Sequence, residues 1–282
     1  MNIGVRAHDF GRHTSADLPR IIREAGFEAV QLAIPKAIEG ITAFSEIDDH
    51  LLEDIRSNFD KYGLEIAVMG CYIEPSLLDK AERLAQVETF KLGLSHAAKL
   101  GAKIVGTETT GLDIDAPSTE REKAYQLLKD SVLRMAEEAE KQGVCIGIEP
   151  VAEHVLNTPE LAARLFDEVG SDKLRIIFDP VNLILPRTII SQLRIYDDLF
   201  TSLGDKISVL HMKDVDTNSG EKVWRNLGEG QIDYEFIFDW LHRSKPGIPL
   251  LREDAKMDSY KADIKTMQNF TNIIINFRRT TK

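Results

Sequence analysis

One local pattern recurs along nearly the whole of this 282-residue chain: a helical stretch closes on a glycine, and a short apolar run follows within a few residues. It reads AGFEAVQLAI at Gly26, YGLEIAVMG at Gly63, LGAKIVGTE at Gly101, QGVCIGIEP at Gly143, VGSDKLRIIFD at Gly170, LGDKISVLH at Gly204 and PGIPLLRED at Gly247. A glycine at a helix end takes the left-handed conformation that residues with a Cβ adopt reluctantly, so each one reads as a stop signal. The glycines lie 27 to 43 residues apart, enough for one strand and one helix each. With the amino-terminal NIGVRAH the runs make eight strands, continuously apolar rather than alternating, as strands covered on both faces should be. Ser118-Thr-Glu-Arg-Glu predicts a capped helix start, and Leu84, Val87, Phe90, Leu94 and Ala97 recur at helical spacing before Gly101. No Pro/Ser/Gly-rich linker interrupts the series. The expectation is therefore an α/β protein with one domain over residues 1–282, a single (β/α)8 TIM barrel. An open doubly wound sheet is the alternative, and the Gly-rich phosphate fingerprint that would favour it after strand one is missing.

Composition narrows the function. Hydrophobic residues make up 43% of the chain, yet no run is long enough to span a bilayer, so no membrane partner is expected. His8 and Asp9 stand where a secretory leader would need an apolar core, and two cysteines, Cys71 and Cys145, suit a reducing compartment; the expected location is cytoplasmic. With 46 acidic against 35 basic residues the net charge is −11, which repels phosphate backbones and makes nucleic acid a poor partner.

In such a barrel the chemistry sits where strands end. Those positions read His8, Lys36, Cys71-Tyr72, Glu108, Glu149 in GIEP, Asp179 in IIFDP, His211 in VLHMKD and Glu253 in LLRED. A single acidic residue after a strand commonly caps the next helix. Four strands in succession that each end in a potential ligand carry more weight, because converging carboxylates repel unless a cation neutralises them. Glu149, Asp179, His211 and Glu253 would make an oxygen-rich site with one nitrogen, suited to one divalent ion, Mn²⁺ or Mg²⁺ first and Co²⁺ or Zn²⁺ as alternatives.

The series IEP, FDPVN, LHMKD and LRED, with GEGQIDY after the histidine, resembles the sugar phosphate isomerase/epimerase superfamily, the xylose isomerase-like barrels, over essentially the whole chain. The resemblance implies that Glu149, Asp179, His211 and Glu253 hold the ion and that Glu149 and Glu253 double as the acid/base pair. It implies an isomerase or epimerase of a small carbohydrate (a ketose, keto sugar or sugar phosphate) working through proton abstraction next to a carbonyl and a metal-stabilised enediolate. A cyclitol or keto-inositol dehydratase is the alternative, and an apurinic endonuclease-like phosphodiesterase is disfavoured by the few histidines at strand ends. Homo-oligomers, dimers or tetramers, are expected from the same source.

Two positions depart from the epimerase pattern. Asn182 stands three residues after the aspartate where a histidine is usual, so it can hydrogen-bond but not carry a proton. Thr217 stands where an arginine is usual, leaving Arg225 or Lys213 to supply that charge. The remaining candidates for substrate contact are His8, Tyr72, Glu108 and His154. Each has a plainer role: a rim histidine for His8, a wall for Tyr72, a pair with Lys36 for Glu108, a loop hydrogen bond for His154. Lys213 can bind a phosphate or equally pair with Asp214 or Asp216. Trp224 either stacks on a sugar or anchors its loop, and Cys71 lines a wall.

Overall fold

Every apolar run that follows a glycine stop forms a parallel strand in the computed structural model of the protein, which describes residues 2–280. The strands are β1 (Ile3–Arg6), β2 (Ala29–Leu32), β3 (Glu65–Gly70), β4 (Ile104–Thr107), β5 (Cys145–Ile148), β6 (Leu174–Phe178) and β7 (Ile207–Met212). An antiparallel hairpin, β8 (Asp214–Asp216) with β9 (Val223–Arg225), follows β7. The last strand, β10 (Leu250–Arg252), pairs with both β7 and β1 and so closes the barrel. Around it run α1 (Asp17–Ala25), the single turn α2 (Ile34–Ala37), α3 (Asp49–Lys61), α4 (Lys80–Leu100), α5 (Ser118–Gln142), α6 (Pro159–Val169), α7 (Gln192–Leu203), α8 (Tyr234–Ser244) and α9 (Tyr260–Thr280). This is a single (β/α)8 TIM barrel. Among the described residues no helix is long and apolar enough to cross a membrane.

The stop glycines close α1, α4, α5 and α6 with φ between 65° and 106°, as expected for left-handed caps. Gly204 is different. It stays right-handed at φ −58°, and a Cβ there would lie 2.7 Å from Trp240 Cζ2, so close packing rather than chain reversal requires it. The expected cap at Ser118 also fails: α5 begins at that residue, after Pro117, with no side-chain cap. Genuine caps are Asp48, Asp79, Thr158 and Asp233, each accepting a backbone N–H three residues on.

Two apolar clusters hold the fold. The larger lies between strands and helices; the smaller, with Ala29, Val68, Ile177, Val209 and Leu251, comes from the strands alone and fills the barrel. Ile177 reaches across this interior because Gly106 and Gly147 face it, where an added Cβ would stand 2.7 and 2.8 Å from its Cδ1. That apolar plug forms the floor of whatever is built above it.

Candidate metal and active site

Side chains two apart on a strand project to the same face, so the plug predicts the layer above it. Stepping on by two, Gly147 leads to Glu149, Ile177 to Asp179, Val209 to His211 and Leu251 to Glu253. The same step takes Gly4 to Arg6, Ala29 to Gln31 and Gly106 to Glu108. An apolar layer is thus capped by a polar one at the carboxyl ends of the strands. His211, Asp179, Glu149 and Glu253 are all buried, at 1% to 6% exposed.

His211 is the hub. Its Nδ1 faces Glu149 Oε2 at 3.1 Å, Glu253 Oε1 at 3.4 Å and Asp179 Oδ2 at 3.8 Å. Its Nε2 lies 2.8 Å from Gln31 Oε1, and Gln31 Nε2 in turn donates to the Tyr72 hydroxyl at 2.6 Å. With Gln31 so oriented, Nε2 donates a hydrogen to it, which leaves Nδ1 on the carboxylate side as the nitrogen that would ligate an ion, as outer hydrogen bonds commonly arrange for a metal-ligating imidazole. Glu149, Asp179 and His211 offer ligand atoms within 4.8 Å of one another, a group able to bind a metal ion. Nδ1 is also a buried atom without an aligned hydrogen-bond partner, as is Asp179 Oδ2. Burial opposes a charged imidazole, but the carboxylates of Glu253 and Glu149 outweigh it and bring His211 up to about 9. The cluster therefore demands positive charge beside Nδ1, and its donor set fits a hard or borderline divalent ion.

The outer oxygens are held in place. Asp179 Oδ1 accepts the backbone N–H groups of Val181 and Asn182, both at 2.9 Å. Asn182 Nδ2 donates to Glu149 Oε1 at 2.5 Å, so its amide serves that carboxylate. Lys213 Nζ donates to Glu253 Oε2 at 3.0 Å and lies 2.8 Å from Asp179 Oδ2. The alternative pairing of Lys213 with Asp214 or Asp216 does not occur, because Lys213 is one more step of two beyond His211 and points inward. Burial opposes its ammonium, yet Asp179 and Glu253 hold it above the usual lysine range. Glu253 does not join the 4.8 Å group. Burial alone would raise its carboxyl; His211, Lys213 and Arg6, whose Nη1 is 3.5 Å away, hold it well below the carboxylate range.

The other candidates scatter around this centre. Strand one ends at Arg6, so His8 falls on the turn beyond it, half-buried and lowered to about 4 by burial, Arg6 and Lys36. Lys36 lies in α2, its Nζ 4.1 Å over the Tyr72 ring. Glu108 stands 3.7 Å from His154 Nε2 rather than pairing with Lys36, and burial and Glu149 raise its carboxyl. Arg225 is exposed on the hairpin, 3.2 Å from Asp216, and with Lys213, Trp224, Asn226 and Lys256 it lines a cavity of about 250 Å³. Trp224 is half-exposed there, 5.6 Å from Lys213 Nζ. Cys71 is fully buried and its thiol is pushed up by burial, which suits a wall.

Gln31, Arg6, Lys222 and the role of Asp214 were not anticipated. Gln31 had a signal, a lone amide inside a fully buried strand, and so had Arg6, two residues after a barrel-facing glycine. Lys222, 3.8 Å from Glu153 with its own side chain 16% exposed, had none, since only the fold of the hairpin buries it. Asp214 explains the GEG stretch: it accepts the backbone N–H groups of Gly228, Gly230 and Ile232, and a Cβ on Gly230 would collide with it.

A sequence model described as xylose isomerase-like TIM barrel matches residues 19–270. None of the curated proteins compared with the chain matches it. Solved structures are similar over nearly their full length. A D-tagatose 3-epimerase-like protein is 17% identical with a TM-score of 0.79, covering 98% of this chain and 99% of that one. The 3-keto-D-glucoside 4-epimerase from E. coli, in its apo form, is 17% identical at 0.73, covering 96% and 98%. The IOLI protein with a binding zinc atom is 18% identical at 0.72, covering 96% and 98%. At these identities the likeness is one of fold.

Proposed function

The chain belongs to the xylose isomerase-like TIM barrel family, and from that membership we propose that it is a divalent-metal-dependent isomerase or epimerase of a small carbohydrate. The observation that carries the reading is the convergence of Glu149, Asp179 and Glu253 on Nδ1 of His211 at the barrel mouth. An epimerase, an epimerase-like protein and a protein with a binding zinc atom among the structures of like fold support it. Glu149, Asp179, His211 and Glu253 would hold the ion, and an oxygen-rich set favours Mn²⁺ or Mg²⁺. When bound, such an ion neutralises the charge that builds on a substrate's carbonyl and hydroxyl oxygens, an effect worth several kcal/mol.

The rest is work for the protein's own side chains. Glu149 and Glu253 approach Nδ1 of His211 from separate strands, β5 and β10, each with one oxygen inward and the other held by N–H donors. One removes a proton from the carbon next to the carbonyl and keeps it, and the other, once it has taken up a proton from solvent, donates that one. Return to the opposite face inverts a stereocentre; return to the neighbouring carbon interconverts ketose and aldose. Glu253 enters as the ionised partner, because Lys213 and Arg6 keep it so. Asn182 acts through Glu149, while Tyr72, Glu108, His154 and His8 offer polar groups around the mouth to sugar hydroxyls, with Arg225 and Lys213 on the hairpin side.

The test is solvent exchange. Mn²⁺-loaded protein incubated in D₂O with a panel of ketoses and ketose phosphates should place deuterium beside the carbonyl of one of them, followed by NMR. Glu149→Gln and Glu253→Gln should each slow that exchange by about 100-fold or more, and a rate unaffected by both substitutions removes the roles assigned.

A further inference from the structure

Lys213 is an ammonium buried against the candidate ligands, and strand register puts it there, two residues beyond His211 on the same side. Its side chain is 6% exposed, with Nζ 2.8 Å from Asp179 Oδ2 and 3.0 Å from Glu253 Oε2. Only Glu253 receives a directed hydrogen bond from it; Asp179 Oδ2 meets it as charge to charge. Arg6 shares this task only in part, because its guanidinium also serves Asp9 at 2.8 Å and Asp254 at 2.6 Å, reaches Glu253 at 3.5 Å and makes no ion pair with Asp179. Once an ion takes the place of the proton on His211, the three carboxylates around Nδ1 carry three negative charges and Lys213 cancels one, which leaves the charge of one divalent ion. Two-metal sites place their ions about 3.5–4 Å apart, and a second ion bridging Asp179 and Glu253 would have to take the place of Nζ.

We propose that Lys213 is a built-in counter-cation that limits this site to a single divalent ion and sets how tightly that ion is held, by competing with it for Asp179 and Glu253. The inference rests on reading those carboxylates as cation ligands. It explains how three acidic side chains are kept together under the protein's own charges: with the ammonium in place their mutual repulsion is partly cancelled before any ion arrives. It also gives the site an exchangeable rather than a permanently captured ion, since the ammonium lowers the attraction the carboxylates exert on it.

Metal-stripped protein titrated with Mn²⁺ by calorimetry tests this, comparing wild type, Lys213→Met and Lys213→Arg. Lys213→Met keeps most of the length of the side chain and removes its charge, and it should bind Mn²⁺ on the order of tenfold more tightly. The same variant should lose thermal stability in EDTA and regain it with Mn²⁺, whereas wild type should change less between the two conditions. Lys213→Arg, with the charge kept, should stay within about threefold of wild type. Equal or weaker binding by Lys213→Met overturns the proposal and leaves Lys213 as a residue that merely holds its neighbours in position. Should Lys213→Met fold only with metal, the comparison is made by competing Mn²⁺ away with a chromogenic chelator, and the same ordering is required. If none of the three proteins binds Mn²⁺, the ligand reading falls and this proposal with it; binding by wild type with no gain in Lys213→Met removes the proposal alone.

Discussion

At the scale of single residues, the site depends on side chains that fix other side chains. Gln31 contributes no charge, yet its carbonyl sets which nitrogen of His211 carries the hydrogen. Gln31→Leu should therefore weaken Mn²⁺ binding about 10- to 100-fold by calorimetry, with all four candidate ligands intact. His8 gives a pH test. Its folded value of about 4 lies below the ordinary 6.5, so it is neutral in the folded protein where the unfolded chain would take up a proton. Its contribution is complete above pH 6.5 and is lost as the pH falls toward 4. The wild type should thus lose more stability than His8→Asn between pH 7 and pH 5, by about 1 kcal/mol after solvent screening, read from urea unfolding. The candidate ligands were legible in the sequence because each ends an apolar run. Gln31 and Arg6 were less legible, because β1 and β2 run at once into turns that carry polar residues of their own, His8 and Lys36.

At the scale of elements, the connection after β7 is organised by Asp214. It faces away from Lys213 and gathers three N–H groups of the Gly228–Ile232 stretch around one carboxylate. That arrangement fixes the hairpin beside the mouth, with Trp224 and Arg225 on it and Lys222 folded inward. Asp214→Ala leaves those donors unpaired and should cost about 2 kcal/mol in urea unfolding, with faster proteolytic cutting between residues 217 and 233 as a second readout. An unaltered cutting rate would mean that the hairpin is held by other contacts. The motif GEGQIDY was visible as a motif, but its physical content was not, because a carboxylate bonded to a later turn leaves no periodic trace. The failed cap at Ser118 and the right-handed Gly204 teach the same point: local residue preferences give way when Pro117 or the Trp240 ring supplies a stronger constraint.

At the scale of the whole molecule, barrel closure brings the two ends of the chain together at the site. Arg6 joins Asp254 across 248 residues of sequence, and Gln31 meets His211 across 180. The closing strand β10 is fastened from outside as well, by the pair Arg252 to Asp263 at 3.1 Å, with side chains 4% and 2% exposed, which ties it to α9. Asp263→Ala strands a buried guanidinium and should cost about 3–5 kcal/mol in thermal or urea unfolding. The double variant Arg252→Met/Asp263→Leu should recover part of that loss, and failure to recover any would show that the pair acts through something other than charge.

The succession of the eight barrel strands and the row of Glu149, Asp179, His211 and Glu253 at the ends of the last four were determined by the sequence alone, because glycine stops, continuous apolar runs and the alternation of side chains act over a few residues; the hairpin after β7 was not. Which charge neutralises which was decided only by tertiary structure. Lys213 choosing Asp179 and Glu253 over its neighbours Asp214 and Asp216, and Arg6 reaching Glu253 at the far end of the chain, depend on the curvature that brings charged side chains from separate strand ends within 3.5 Å of each other. Electrostatic pairing at that range is a property of the closed barrel, and no local pattern in the chain encodes it.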